Sequence, residues 1–196
     1  MARGDPKGGR PGAPQGGEPG PATPLRFFDL AQTLCQHDVA FVLIGGFAVT
    51  LHGYIRATKD VDIVPDPEPA NLSRLWDALS TLNARPADFG EFESQELPVP
   101  FTREGFVVSG GGNWVIYTVI YTTLGRVDVM PYVESADGEM IYDDLRENAV
   151  RVDLDEVGFP IWVASTADLI AMKEHANRDI DRIDLTALRM AQGEET

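Results

Sequence analysis

Two aspartates one residue apart, Asp60 and Asp62, sit in the apolar run "DVDIV" at 60–64, and a third, Asp128, sits between Val127 and Val129 in "RVDVM". On an extended strand, residues two apart share a face, so Asp60 and Asp62 are expected to project together while Val61 and Ile63 face the other way. Two carboxylates that close repel unless one is protonated or a divalent cation lies between them. Oxygen-only donors suit Mg²⁺ or Mn²⁺, which take one or two protein carboxylates and leave other positions to water and phosphate oxygens. Three such aspartates could hold two ions, one activating an attacking oxygen and one stabilising a leaving pyrophosphate. Asp60, Asp62 and Asp128 are thus the candidate metal ligands and catalytic residues. Asp128 has an alternative role as the general base that takes the acceptor's proton.

Upstream, "VLIGGFAVTLHGY" breaks an apolar run on Gly45 and Gly46. With no side chain between backbone and ligand, amides there can approach phosphate oxygens and benefit from the start of the following helix. The glycine loop is expected to hold a triphosphate whose metal sits on the aspartates. Arg56 and Lys59, just before the Asp pair, could neutralise phosphate charge. Thr58 is a further candidate contact, and His52 reads as a packed or capping histidine.

The elements that must position these residues follow from periodicity. Residues 1–24 are rich in Gly and Pro without apolar periodicity, so a disordered tail is expected. A helix is expected from Leu25 to about His37, with Leu25, Phe28, Ala31, Leu34 and Cys35 near one face. "AFVLIGG" (40–46) reads as a buried strand entering a glycine turn, followed by one or two helical turns closed by Gly53. The strand 60–64 ends at Pro65 and Pro67. Leu72, Leu75, Trp76, Leu79 and Leu82 mark an amphipathic helix. The stretch 83–113 has no clean period and reads as a long irregular loop near the site.

"WVIYTVIYTTLGRVDVMPY" (114–132) reads as two strands joined by a hairpin at Thr122 to Gly125, with Arg126, Asp128 and Met130 sharing one face of the second. A helix and then a strand are expected over "MIYDDLRENAVRV", and another strand over 159–165. Ser165 or Thr166 should cap the next helix, with Asp168 in its first turn. A last helix from about Ile180 to Ala191 is expected to turn Ile183, Ala187, Leu188 and Met190 inward.

Composition narrows the function classes. The chain has 196 residues, 43% of them hydrophobic, enough for one sizeable core with a small helical appendage. No run reaches the roughly 18 apolar residues of a membrane span, and the N-terminus lacks the apolar segment of a secretory signal. One cysteine, Cys35, allows no internal disulfide. A cytoplasmic location without membrane attachment is therefore expected. With 31 acidic against 16 basic residues, the overall field attracts divalent cations and repels polyanions. A nucleic-acid partner would need a local basic patch, for which Arg56, Lys59, Arg103, Arg126, Lys173, Arg178 and Arg182 are the candidates.

"LIGGFAVTLHGYIRATKDVDIVPD" closely resembles the signature of the nucleotidyltransferase superfamily with the DNA polymerase β-like fold. It looks most like the compact bacterial branch that includes nucleotidyltransferase-like toxins of AbiE and MenT type. The resemblance implies an α/β fold, a mixed sheet flanked by helices, with a core over 25–164 and C-terminal helices over 165–196. It matches Gly45 and Gly46 to the glycine turn, Asp60 and Asp62 to the metal pair, and Asp128 to the third carboxylate. "ADLIAMKEHANRDIDRIDLTAL" (167–188) resembles the branch's C-terminal helices, in which a lysine and a later aspartate complete the nucleotide site. Lys173 matches the lysine, and Asp181 and Asp184 both fit the aspartate, Asp184 slightly better. Gly46 stands where toxin members often carry serine. The activity implied is Mg²⁺- or Mn²⁺-dependent transfer of a nucleoside monophosphate from an NTP to a hydroxyl of a tRNA, a protein or a small molecule. Alternatives are a non-catalytic interaction module and a toxin–antitoxin component with a cognate antitoxin.

Overall fold

The computed structural model describes residues 20, 22–86, 102–109, 118–191 and 193. The tail expected over 1–24 lies almost wholly outside the described residues, as do the start of the strand expected from 114 and much of the 83–113 stretch.

The elements, in chain order, are α1 (Phe27–Gln36), β1 (Phe41–Ile44), α2 (Gly45–Leu51), β2 (Asp60–Pro65), α3 (Pro69–Thr81), β3 (Arg85–Pro86), α4 (Arg103–Ser109), β4 (Thr118–Thr122) and β5 (Gly125–Val129). They continue with β6 (Tyr132–Ser135), β7 (Gly138–Ile141), α5 (Tyr142–Asn148), β8 (Val150–Leu154), β9 (Phe159–Val163), α6 (Thr166–Ala176) and α7 (Asp179–Ala191). A mixed sheet orders the strands β3-β4-β5-β2-β1-β9-β8, and β6 and β7 form a separate hairpin. This is the mixed sheet flanked by helices implied by the resemblance.

β1 lies inside the sheet and is covered on both faces, which is why "FVLI" is a continuous apolar run rather than an alternating one. β2 runs antiparallel to it with Ile44 beside Asp62, and parallel to β5 with Asp60, Val61 and Asp62 opposite Arg126, Val127 and Asp128. The valines face the core and the aspartates the other surface, as the alternation requires. Asn71, buried on α3, fixes the outer end of this pair. Its Oδ1 accepts from Ala40 N at 2.7 Å, and its Nδ2 donates to Ala40 O and Asp66 O at 2.9 Å. At the other end Phe47 of α2 stacks on Phe27 of α1, with ring centroids 3.5 Å apart, and this seats the glycine-led helix.

Three expectations change. In α1 the buried face is Phe27, Leu30, Ala31 and Leu34, whereas Phe28 is 41% exposed, because Leu25 lies outside the helix and the stripe within it runs through Phe27 rather than Phe28. In α7 Ile183 and Met190 are exposed, at 51% and 65%, and the inward positions are Asp181, Asp184, Leu185 and Leu188. Two aspartates occupy core-facing positions there because buried cations await them. The 83–113 stretch contains a strand and a helix, β3 and α4. Phe106 of α4 packs on Trp76 of α3, and none of the described residues of the stretch lines the cleft described below. No described helix is long and apolar enough to cross a membrane.

Candidate active site

At the junction of β1 and α2 the chain must leave the sheet beside the first aspartates. Gly45 has φ +67°, and a Cβ there would lie 2.0 Å from Asp62 Oδ2. Only glycine accepts both that conformation and that neighbour. A Cβ on Gly46 would lie 2.5 Å from Arg56 Nη2 and 3.0 Å from Thr58 Oγ1. The space a serine would need is therefore filled by Arg56 and Thr58, which accounts for glycine at this position.

Asp60 and Asp62 project together from β2 as expected, and Asp128 lies directly opposite Asp62 on β5. Desolvation, and after it the charges of Asp60 and Asp128, push the Asp62 carboxyl up to about 7, against the lowering effects of Lys173 and Arg126. Thr58 Oγ1 is 3.3 Å from Asp60 Oδ1 and holds that carboxylate from the preceding loop. Asp128 is buried and engaged by a fork: Arg126 Nε donates to Oδ1 at 2.7 Å and Nη2 to Oδ2 at 2.6 Å. Arg126 Nη1 also stands 3.8 Å from Asp60 Oδ2.

A second cluster closes the cleft from the helical side. Ser165 caps α6 by accepting from Asp168 N at 3.1 Å, and Lys173 lies further along that helix, buried. Its ammonium contacts Asp181 Oδ1 and Asp184 Oδ2, both at 2.9 Å and both from fully buried side chains of α7. Arg56 reaches Asp184 as well, with Nε 2.8 Å from Oδ1 and Nη2 3.1 Å from Oδ2. Arg178 adds hydrogen bonds to Asp181 from its backbone N and from Nε, the latter at 2.7 Å. Burial pushes the Asp181 carboxyl up, but the bonds from Arg178 and Lys173 outweigh it and hold it down at about 2. Asp181 and Asp184 thus both belong to the cluster: Asp181 lines the cleft, and Asp184 supports Arg56 and Lys173 from behind.

The cleft between the clusters has a volume of about 1000 Å³ and is lined by Gly45, Gly46, Arg56, Thr58, Asp60, Asp62, Asp128 and Lys173 among others. Of the site residues read from the sequence, only Asp184 is absent from that lining. Lys59 lines the cleft and is exposed. His52 is structural: its Nε2 is 2.9 Å from Ala164 O and its Nδ1 3.2 Å from Thr166 Oγ1, tying α2 to the start of α6.

Among the described residues no three His, Cys, Asp or Glu side chains form a ready-made metal site. Asp60, Asp62 and Asp128 all line the cleft, with Asp128 engaged by the Arg126 fork. A carboxyl raised by burial and by the neighbouring charges of Asp60 and Asp128, as Asp62 is, fits a hard divalent ion completing its shell from water and phosphate. Sequence reasoning placed Arg126 on the face of Asp128 but not in the site, and placed Arg178 only in a basic patch. For Arg126 the signal was present: the same two-residue spacing that pairs Asp60 with Asp62 pairs Arg126 with Asp128. The cleft's apolar wall, with Met130, Tyr132, Met172 and Ile180, had no such signal, because it is assembled from β6, α6, α7 and the loop before β6.

Residues 25–193 match the family described as "Nucleotidyltransferase of unknown function (DUF6036)". The chain belongs to this nucleotidyltransferase family. No curated protein sequence matches this nucleotidyltransferase. Among solved structures it is similar to the lincomycin-bound lincosamide antibiotic adenylyltransferase LnuA, with a TM-score of 0.53 and 15% identity over 84% of this chain and 94% of that one. ANT(2″)-Ia in complex with adenylyl-2″-tobramycin aligns with a TM-score of 0.49 and 13% identity, over 83% and 85% of the two chains. The likeness to LnuA is one of fold.

Proposed function

We propose that this nucleotidyltransferase moves a nucleoside monophosphate from an NTP to an acceptor hydroxyl, with a divalent ion on Asp60 and Asp62. The acceptor oxygen bonds to the α-phosphorus, the α–β phosphoanhydride bond breaks, pyrophosphate leaves, and Asp128 is the proposed acceptor of the hydroxyl proton. The observation that carries this reading is the convergence of the Asp60–Asp62 pair, the Gly45–Gly46 turn and Lys173 on one cleft.

An Mg²⁺ or Mn²⁺ ion bound there would supply a Lewis acid between the carboxylates and the triphosphate. The chain's own residues do the positioning. Gly45 and Gly46 leave the backbone open toward the phosphates. Arg56 and Lys173, held by Asp184 and Asp181, present fixed cations at the other wall, and Thr58 orients Asp60. Such preorganised charge is where most catalysis of phosphoryl transfer resides.

The alternative reading, a toxin–antitoxin component with a cognate antitoxin, rests on the resemblance of residues 167–188 to the C-terminal helices of the toxin branch. A tRNA, a protein and a small molecule all remain acceptors to be tried. Thermal unfolding with Mg²⁺ and each NTP tests the reading. Stabilisation by at least one NTP is expected in the wild type and not in the Asp60→Ala/Asp62→Ala variant. Equal stabilisation of both would refute the assigned site.

A further inference from the structure

We infer that Arg126 is a resident cation standing where a second metal ion would otherwise bind, so that the chain takes one divalent ion, on Asp60 and Asp62, rather than two. The inference rests on the metal-dependent reading above.

The geometry begins with register. Arg126 and Asp128 are two residues apart on β5, so their side chains leave the sheet on the same face, and Arg126 is paired across to Asp60 while Asp128 is paired across to Asp62. The guanidinium is thereby held against the carboxylates of Asp128 and Asp60. It meets Asp128 through both of that residue's oxygens, at 2.7 Å and 2.6 Å, and approaches Asp60 at 3.8 Å.

A bidentate fork of this kind occupies one lone pair on each carboxylate oxygen and is among the stronger charge-assisted contacts. A divalent ion bridging Asp128 to Asp60 or Asp62 would have to displace it or sit against its positive charge. Guanidinium stays charged at any pH at which the fold exists, so this cation is permanent where a metal would exchange. Asp128 is 3% exposed, so the carboxylate end of the pair is poorly screened by solvent, while Arg126 reaches the cleft. Two roles were open to Asp128 from sequence, metal ligand and proton acceptor. The charge of the guanidinium opposes the first, and the lone pair left on each oxygen keeps the second open.

Counting bound Mn²⁺ tests this by following free Mn²⁺ with electron paramagnetic resonance during titration of the nucleotide-free protein. One ion per chain is expected for the wild type and for Arg126→Lys, which keeps the charge. Two are expected for Arg126→Met, which removes it, with the first ion bound at least tenfold more tightly. Two ions in the wild type, or one in both the wild type and Arg126→Met, would overturn the inference. The wild-type count decides against it by itself even where a variant misfolds. Repeating the titration with a non-hydrolysable NTP tests the underlying reading separately, since nucleotide that leaves Mn²⁺ affinity unchanged would count against nucleotidyl transfer without altering the ion count.

Discussion

The two walls of the cleft are built from the same kinds of charge and treat them oppositely. On the helical wall, Asp181 and Asp184 meet Lys173, Arg56 and Arg178 at hydrogen-bonding distance, and the buried acids are fully neutralised within the protein. On the sheet wall, Arg126 forks onto Asp128 and stands 3.8 Å from Asp60, while burial, and after it the charges of Asp60 and Asp128, push the Asp62 carboxyl up to about 7. The difference teaches which wall would take a metal ion and which presents cations already fixed by their own carboxylates. A wall whose charges cancel internally gains nothing from an added ion, whereas a wall with surplus negative charge has a place for one.

Changes to the two walls should therefore separate activity from stability. The largest effect belongs to the sheet wall. Asp60→Ala/Asp62→Ala should lower nucleotidyl transfer by about 10³-fold or more, as expected when preorganised charge at the reacting centre is lost. The melting temperature of the variant should not fall, which a thermal scan beside the activity assay checks.

Removing a charge from the helical wall should do the reverse first. Asp184→Ala leaves Lys173 and Arg56 short of a buried partner, and breaking such a pair costs about 3–5 kcal/mol. That is a large part of a typical domain's stability, and urea unfolding would register it. An unchanged midpoint would mean that those cations are not fixed by their carboxylates as described.

The pH dependence sharpens the contrast. A carboxyl whose folded pKa lies above its unfolded value of about 4 binds its proton more tightly in the fold, so stability is lost as pH rises from about 4 to about 7. Asp62→Asn should abolish that loss and raise the melting temperature at pH 8 by about 2–4 °C for each ~1 kcal/mol relieved. Asp181 has the opposite sign. Its lowered pKa supplies stability above about pH 4 that disappears as pH falls toward 2.

A smaller effect is expected at the glycine turn. Gly46→Ser must shift the Arg56 guanidinium end and crowd Thr58, at about 1–3 kcal/mol for an overpacked position. A shifted Arg56 guanidinium should weaken NTP binding in the same variant, measurable by calorimetry. The smallest is Ile183→Gln on the outward face of α7, which should change stability by no more than about 0.5 kcal/mol. A large loss there would restore the inward placement that apolar periodicity suggests.

That last residue illustrates what could and could not be read in advance. The sheet wall was legible because strand alternation is strict: Val61 and Val127 had to face the core, and Asp60, Asp62 and Asp128 therefore had to face the cleft. The glycine turn was legible as a break, but its cause was not, since the neighbours that exclude a Cβ, Asp62 and Arg56, arrive from later in the chain. α7 was misread because hydrophobic periodicity assumes that acids point outward. Here Lys173 reverses the rule, and only the resemblance pointed to it. The hairpin of β6 and β7 went unrecognised although Asp137-Gly138 is a turn dipeptide, because its strands are short and carry mixed polar residues.

The central claim is that the Asp60–Asp62 wall carries out nucleotidyl transfer. The most direct test is incubation of the protein with Mg²⁺ and each NTP labelled at the α-phosphate, in the presence of RNA, protein and small-molecule acceptors. Label should pass to one acceptor class with the wild type and to none with Asp60→Ala/Asp62→Ala. Label transferred equally by both proteins, or by neither with every acceptor, would contradict the account.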